Sequence, residues 1–375
     1  MRNSIKIIRI ITGLVFMFSG FVKGVDPLGT AYRFEDYFIV YHISWLIPFS
    51  LVLSITMCSI EFVLGAMLVF NLRSRFTAWV LLVIMLFFTL LTFIDALTSL
   101  VPDCGCFGDA IKLTNWQTFY KNVVLILFAG LIFKYRRNRD SSLSAKRQWN
   151  LIIVISAVFI YFSVYCYLHL PVVDFTEWKQ GNKLFIENPL PQKYFLTYRN
   201  KKTGEQKEYL SPNYPYSDSV WMTQWKFVSQ RVDDPNVYYG RNLQISDSTG
   251  TNFTDQFIRN PGFVFLMTSF DVNKANQHSL IAMNRFAQKA VEGGNTFLLL
   301  VSNTPAEVNR ITKQIHITYP VYYADDIVLK TMVRSNPGLL LLHNGVIVKK
   351  WHYRDFPDYE KIAKRFFAKQ KNQNH

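Results

Sequence analysis

Long apolar runs alternate with short polar clusters over the first 170 residues. Five runs approach the ~20 residues that an α-helix needs to cross the ~30 Å hydrocarbon core of a membrane. They extend from about Ile5 to Gly20, Ser44 to Phe70, Phe76 to Leu100, Trp116 to Phe133 and Leu151 to Leu170. This pattern predicts five membrane-spanning helices. The sequence from Thr114 to Gln117 fits the S/T-x-x-E/Q capping box and marks the start of the fourth helix.

After Leu170 the pattern becomes that of a soluble chain with short strands and helices. Residues 171–236 contain many Pro, Tyr and Trp residues, and Tyr194 to Arg199 with Glu205 to Leu210 predict a hairpin. We expect this segment to be a β-rich spacer that lifts the next domain off the membrane. In residues 237–375, strands alternate with helices and end in a hairpin and a closing helix, which predicts a small α/β domain. Its strands are expected at Gly262 to Met267, Thr296 to Val301, Gly338 to Leu342 and Val346 to Trp351, and its longest helix at Ser279 to Val291.

The charge distribution sets a topology. The chain has 375 residues, 50% of them hydrophobic, and a net charge of +15. With the N-terminus in the cytoplasm, eleven Lys and Arg residues of the first 170 fall inside and four fall outside, which satisfies the positive-inside rule. The excess of basic residues in this half is therefore explained by its orientation in the membrane. Anionic lipid headgroups are the expected partners of these residues, and nucleic acid is not expected as a partner. The part after Leu170 is predicted to lie outside the cytoplasm.

Two of the four cysteines, Cys104 and Cys106, lie in one predicted outer loop. In an oxidising compartment such a pair forms a disulfide, and Gly105 permits the required turn. A ring this small favours a pair that cycles between dithiol and disulfide. The alternative, a static clip, stays open. A metal site is not expected, because no His lies nearby to complete four ligands.

Two acidic residues lie within predicted spans, where ionisable groups are candidates for function. Glu61 is deep in the second helix and Asp95 is in the outer part of the third. Both are candidate proton sites. The structural alternative is a buried carboxyl bonded to a neighbouring helix or, for Asp95, simple proximity to the interface. Arg33, Glu35, Asp36 and His42 in the first outer loop form a candidate rim site or, more commonly, solvated loop charges.

The membrane half resembles the DoxX/MauE group of four-helix membrane proteins over about residues 1–135. The resemblance rests on Ser19 to Gly29, on the stretch from Glu61 to Gly65, and on the Cys104-Gly105-Cys106-Phe107-Gly108 loop. Residues 136–170 then form a basic cytoplasmic loop and a fifth, connecting helix. The resemblance implies a redox-associated protein of a Gram-negative inner membrane, with a quinone as a candidate cofactor.

Residues 237–375 resemble the TlpA and thiol-peroxidase branch of the thioredoxin fold. The resemblance rests on Asp247 to Gly250, on Gly262 to Met267, and on Asn336-Pro337-Gly338. It places a cis-proline at Pro337, and Asn336 and Pro337 form a candidate binding groove. Thioredoxin chemistry needs a reactive thiolate, usually in Cys-x-x-Cys, but no cysteine follows Cys166. The domain is thus expected to be a catalytically inactive binding module, or a structural cap.

The fold class expected is a membrane four-helix bundle with a connecting helix, followed by an α/β thioredoxin-like exported domain. The function expected is a redox-associated accessory component in envelope thiol/disulfide or quinone-linked electron transfer. Its candidate partners are the lipid bilayer and an exported redox or disulfide-containing protein. The charge bias and the five spans place the C-terminal domain in the periplasm. The alternative is a non-enzymatic envelope scaffold with a static loop disulfide.

Overall fold

The computed structural model describes residues 2–99, 101, 105–136, 143–188, 190–233, 236, 240 and 242–367. Six helices form its first half, and five of them are long and apolar enough to span a membrane, as predicted. Their bounds are α1 Arg2–Val25, α2 Pro27–Val40, α3 Ser50–Val69, α4 Ser74–Thr98, α5 Asn115–Lys134 and α6 Ala145–Leu168, with a 3-10 helix at Ser44–Phe49. The predicted capping box is present at the start of α5, where Thr114 and Gln117 bond reciprocally.

Glycines bring α1 and α3 into direct backbone contact. A Cβ at Gly65 would lie 2.5 Å from the backbone nitrogen of Met17 and 2.6 Å from the carbonyl oxygen of Gly13. A Cβ at Gly20 would lie 2.6 Å from the backbone nitrogen of Phe62. Small residues allow such close approach in membranes, where the packing itself stabilises helix pairs. This contact fixes the relative height of the two helices.

The helix α2 was not predicted and lies between the first two spans. It begins at an Asp-Pro pair: the Asp26 carboxylate accepts a hydrogen bond from the backbone N–H of Gly29, and Pro27 occupies the first turn, where its missing N–H costs nothing. The connection between the first two spans, treated as a loop in the sequence, is therefore helical over residues 27–40.

The predicted β-rich spacer contains a three-stranded antiparallel sheet in the order β2-β1-β3. Its elements are β1 Lys193–Asn200, β2 Gln206–Leu210, α7 Ser219–Gln224 and β3 Trp225–Asp233. The β1-β2 hairpin is the one predicted, whereas β3 was missed. Aromatic side chains, with Tyr198 at their centre, pack on this sheet against Trp221 and Phe227.

The C-terminal domain has a five-stranded mixed sheet in the order β6-β5-β4-β7-β8. The strands β4, β5 and β6 are parallel, and β7 and β8 are antiparallel to their neighbours. The bounds are α8 Thr254–Ile258, β4 Phe263–Ser269, α9 Gln277–Glu292, β5 Thr296–Val301, α10 Pro305–Gln314, β6 Val321–Tyr323, α11 Asp326–Met332, β7 Gly338–His343, β8 Val346–His352, a 3-10 helix Tyr353–Asp355, α12 Tyr359–Ile362 and a π-helical turn Ala363–Phe367. A β4-α9-β5 unit beside a β7-β8 hairpin and a closing helix is the thioredoxin-like arrangement, so this prediction is confirmed.

All seven residues of β4 are buried, because helices and loops cover both faces of the sheet. One core contains Phe265 and Phe286 on the α9 side, and the other contains Leu266 on the opposite side. Trp178, from the segment that follows α6, is 0% exposed in the second core, and its indole N–H donates to the Thr331 hydroxyl. Part of the predicted spacer thus packs against the thioredoxin-like domain.

Candidate functional site

The cysteine loop, defined here as residues 105–109, lies between α4 and α5. Gly105 and Gly108 both adopt positive φ, and the backbone N–H of Gly108 bonds the carbonyl oxygen of Gly105. A Cβ at Gly105 would overlap the Arg33 side chain, so the glycine allows α2 to cover the loop. Phe107 packs against Phe18 of α1 at a centroid distance of 5.7 Å. The loop therefore has a fixed path over the helices.

Cys106 is half-buried and carries a free thiol. Cys104 lies outside the described residues, so its pairing with Cys106 stays a prediction. Cys58 and Cys166 are buried within α3 and α6 and also carry free thiols.

Glu61 forms a buried ion pair with Lys23. The Lys23 Nζ lies 2.6 and 2.7 Å from the two carboxylate oxygens, and the residues are 8% and 3% exposed. The close packing of α1 on α3 supplies this geometry. Lys23 was counted in the sequence only as an outer cation. Lys23 follows Ser19 by four residues, which places both side chains on one face of α1. This spacing was the sequence signal that the two residues could share a site.

Ser19 connects this ion pair to the cysteine loop. Its hydroxyl oxygen lies 2.8 Å from a carboxylate oxygen of Glu61 and 2.7 Å from the backbone carbonyl oxygen of Cys106. The single hydroxyl proton can serve either acceptor. Lys23, Glu61, Ser19 and the Cys106 backbone thus form one continuous polar chain.

A cavity of about 480 Å³ lies beside this chain, within the volume range of small-molecule sites. Its wall is largely apolar. Its polar side chains include those of Ser19, Lys23, Tyr37, Glu61, Cys106 and Asn122, and its apolar wall includes Phe16, Phe34, Met57, Met85, Phe88 and Leu91. A largely apolar cavity with a few polar groups, Lys23 and Glu61 among them, is typical of small-molecule sites.

Asp95 has a different partner from Glu61. Asp95 is 0% exposed, and one of its carboxylate oxygens accepts a hydrogen bond of 2.5 Å from the Tyr37 hydroxyl of α2. Asp95 is thus buried and bonded to the neighbouring helix α2. Its candidacy as a proton site stays a prediction.

The charged residues of the predicted rim site lie in different environments. Arg33 pairs with Asp109 of the cysteine loop at 2.8 Å, so it is not a solvated loop charge. Burial raises the pKa of Glu35 and of Asp36 above their usual ranges. His42 is exposed at the end of α2.

The Asn336–Pro337 peptide bond is cis, as the resemblance implied. Pro337 is buried, and Asn336 is tied to the segment after β4: its amide donates to the Asp271 carbonyl oxygen at 2.8 Å and its side-chain oxygen accepts from the Ser269 hydroxyl at 2.7 Å. The candidate groove at these two residues stays a prediction.

The domain is not lifted off the membrane half, contrary to the spacer expectation. Arg334, three residues before Pro337, forms ion pairs with Asp26 at 2.8 Å and with Asp109 at 3.1 Å. None of these three residues was singled out from the sequence.

The family model described as methylamine utilisation protein MauE matches residues 1–135. Comparison with curated proteins gives no match. A solved structure of a proposed protein disulfide isomerase from Bacteroides thetaiotaomicron is similar at 18% identity, covering 35% of this chain and 83% of that one with a TM-score of 0.26. The bacterioferritin comigratory protein of Xanthomonas campestris, studied for alkyl peroxide reduction, is similar at 12% identity, covering 36% and 91% with a TM-score of 0.25. Residues 1–135 therefore match the MauE family model, and a thioredoxin-like domain without cysteines follows them in the same chain.

Proposed function

We propose that this protein is a membrane thiol-redox component in which the Cys104 and Cys106 pair exchanges electrons with a quinone held in the cavity. The observation that supports the proposal best is the position of Ser19, which contacts both the Glu61 carboxylate and the backbone of Cys106. One polar chain thereby joins the candidate redox loop to an apolar cavity between membrane helices. A lipid-soluble oxidant can reach such a cavity from the bilayer.

The proposed step balances as a two-electron exchange. The two thiols lose two electrons and two protons as one S–S bond forms, and the quinone takes up both electrons and both protons to become a quinol. The loop disulfide then oxidises a dithiol of an exported protein and returns to its reduced form. The polar chain of Lys23, Glu61 and Ser19 is suited to moving protons, because each member lies within 2.8 Å of the next.

Localisation forms part of the same proposal. The positive-inside bias supports a bacterial inner membrane protein whose N-terminus is cytoplasmic and whose cysteine loop and C-terminal domain are periplasmic. That compartment is oxidising, which suits a loop that alternates between dithiol and disulfide.

The experiment uses the full-length protein in detergent, reduced and freed of reductant, and a short-chain quinone as oxidant. We expect one quinol per protein, measured by absorbance, together with loss of two alkylatable thiols. Cys104→Ser and Cys106→Ser should each abolish quinol formation. Cys166→Ser, which removes a buried thiol from α6, is the matched control and should leave it unchanged.

The competing scaffold function has its own support, since Arg33 and Arg334 hold the cysteine loop through Asp109 as they would hold a static clip. Quinol formation no greater in the reduced wild type than in Cys104→Ser would refute electron exchange with quinone. A loop pair that stays oxidised under every growth condition, with a double Cys→Ser variant that keeps cellular function, would establish the scaffold.

A further inference from the structure

The surface of the thioredoxin-like domain around its cis-proline is already occupied by the membrane half of the same chain. Arg334 lies between α11 and the cis bond and is only 6% exposed. Its Nε donates to Asp26 and one Nη to Asp109, while the other Nη donates to the Lys330 carbonyl oxygen at 2.7 Å. A guanidinium that binds through all three nitrogens has a fixed orientation.

The two carboxylates come from different parts of the membrane half and are themselves held in place. Asp26 caps α2 through the backbone N–H of Gly29. Asp109 is the last residue of the cysteine loop and also pairs with Arg33. Burial alone would raise the pKa of the Asp109 carboxyl, but Arg33 and Arg334 hold it below its usual range. Arg334 therefore ties the end of α1 and the cysteine loop to one point on the domain.

An aromatic contact extends this interface beyond the ion pairs. Phe270, in the segment after β4, meets Tyr32 of α2 edge-on at a centroid distance of 6.1 Å. The Lys330 ammonium lies 5.3 Å from the centre of the Tyr32 ring. Burial raises the pKa of Tyr32 well above its usual range, as expected of a phenol shielded from water. The contact is thus packed as well as charged.

We propose that Arg334 is a positioning residue for the cysteine loop, and that the thioredoxin-like domain is an intramolecular clamp whose partner is its own membrane half. The domain has no thiol to offer a substrate, but it carries the cation that fixes the loop three residues beyond Cys106. The clamp limits access to the Cys106 thiol from the aqueous side. What the thiol then does rests on the proposed function, whereas the clamp itself does not.

The test measures access to Cys106 in a protein where no disulfide can form. In full-length protein with Cys58, Cys104 and Cys166 changed to Ser, the rate of Cys106 alkylation by a polar maleimide is followed by mass shift. We expect Arg334→Gln to raise this rate by about tenfold or more, because a buried charge pair that loses one partner is strongly destabilised. Arg285→Gln on α9, an exposed arginine of the same domain, is the matched control and should leave the rate unchanged.

Asp26→Asn provides a second variant that keeps the α2 cap, since Asn accepts the same hydrogen bond, but removes one carboxylate from Arg334. It should raise the alkylation rate by a smaller factor than Arg334→Gln, and it replaces that variant if Arg334→Gln does not fold. The clamp is overturned if a folded Arg334→Gln protein is alkylated no faster than the Arg285→Gln control. If only Asp26→Asn folds, an unchanged alkylation rate in that variant overturns it. Because the reporter protein cannot cycle, faster alkylation without quinol formation in the wild type would support the clamp and reject the proposed function.

Discussion

The ion pair between Lys23 and Glu61 offers the sharpest test of how the membrane region is held together. Both side chains are buried, and the ammonium contacts both carboxylate oxygens at 2.6 and 2.7 Å. Removing one partner leaves an uncompensated buried charge, which costs ~3–5 kcal/mol, whereas replacing both with apolar residues is often close to neutral. Lys23→Met and Glu61→Met should each be destabilising, and the double variant should lose far less than the sum.

The assay is thermal unfolding of the full-length protein in detergent, followed by helical circular dichroism. At the ~2–4 °C per kcal/mol typical of domains of this size, each single variant should lower the Tm by about 6–20 °C. The double variant should return most of the way to the wild type. Lys146→Met, at an exposed position near the start of α6, is the matched control and should change stability by less than ~0.5 kcal/mol.

Additive losses would refute this reasoning, because they would mean that the two charges do not stabilise each other. Single variants as stable as the Lys146→Met control would also refute it, since they would show that neither charge depends on its partner. A recovery in the double variant would instead measure the coupling between α1 and α3 directly.

Three further predictions concern packing and pH. Gly65→Ala places a Cβ 2.5 Å from the α1 backbone and should cost ~1–3 kcal/mol in thermal unfolding. Gly130→Ala, whose Cβ would meet no neighbouring element within 4 Å, should be neutral or stabilising. Trp178→Ala empties a fully buried site and should lower the stability of the thioredoxin-like domain by ~3–5 kcal/mol in the same assay. Burial, reinforced by the nearby Arg354, lowers the pKa of His352 to about 4 in the folded protein. The unfolded chain, where this histidine has its usual pKa, therefore binds the proton at a higher pH than the folded protein does. The free energy of unfolding should accordingly fall as the pH drops from 6.5 to 4. A Tm series over that range should flatten in His352→Asn but not in His278→Asn, an exposed control, and an equally steep series in both would contradict the assignment.

Local signals were enough to predict most elements. The length of an apolar run predicts a membrane span, and a short apolar run between turn residues predicts a strand such as β5. Both predictions use only neighbouring residues in the sequence. The capping box at Thr114 is equally local. The helix α2 carried such a signal too, in the Asp26-Pro27 pair, but its mixed polar and apolar residues resembled a loop.

The contacts of the candidate site depend on partners far apart in the sequence. Glu61 was identified from its depth in a span, but Lys23 lies 38 residues away and is brought to it only by the glycine packing of α1 on α3. Arg334 lies 308 residues from Asp26 and 225 from Asp109, and no local pattern marks it as anything but a surface cation. The first pair depends on how two helices pack, and the other two depend on how two domains dock. Neither arrangement can be predicted from the residues next to Lys23 or Arg334 in the sequence.

The docking also brings the segment that contains the cis-proline next to the cysteine loop. In this chain the cysteines lie in the membrane region and the cis bond lies in the thioredoxin-like domain. The ion pair between Arg334 and Asp109 joins the segment before the cis bond to the cysteine loop. Asn336 ties the cis bond to the segment that carries Phe270, and Phe270 contacts α2. The local structure around Pro337 therefore shapes the surface that meets the cysteine loop. On the clamp proposal, that surface docks on the membrane half, so the accessibility of the Cys106 thiol depends on both halves of the chain.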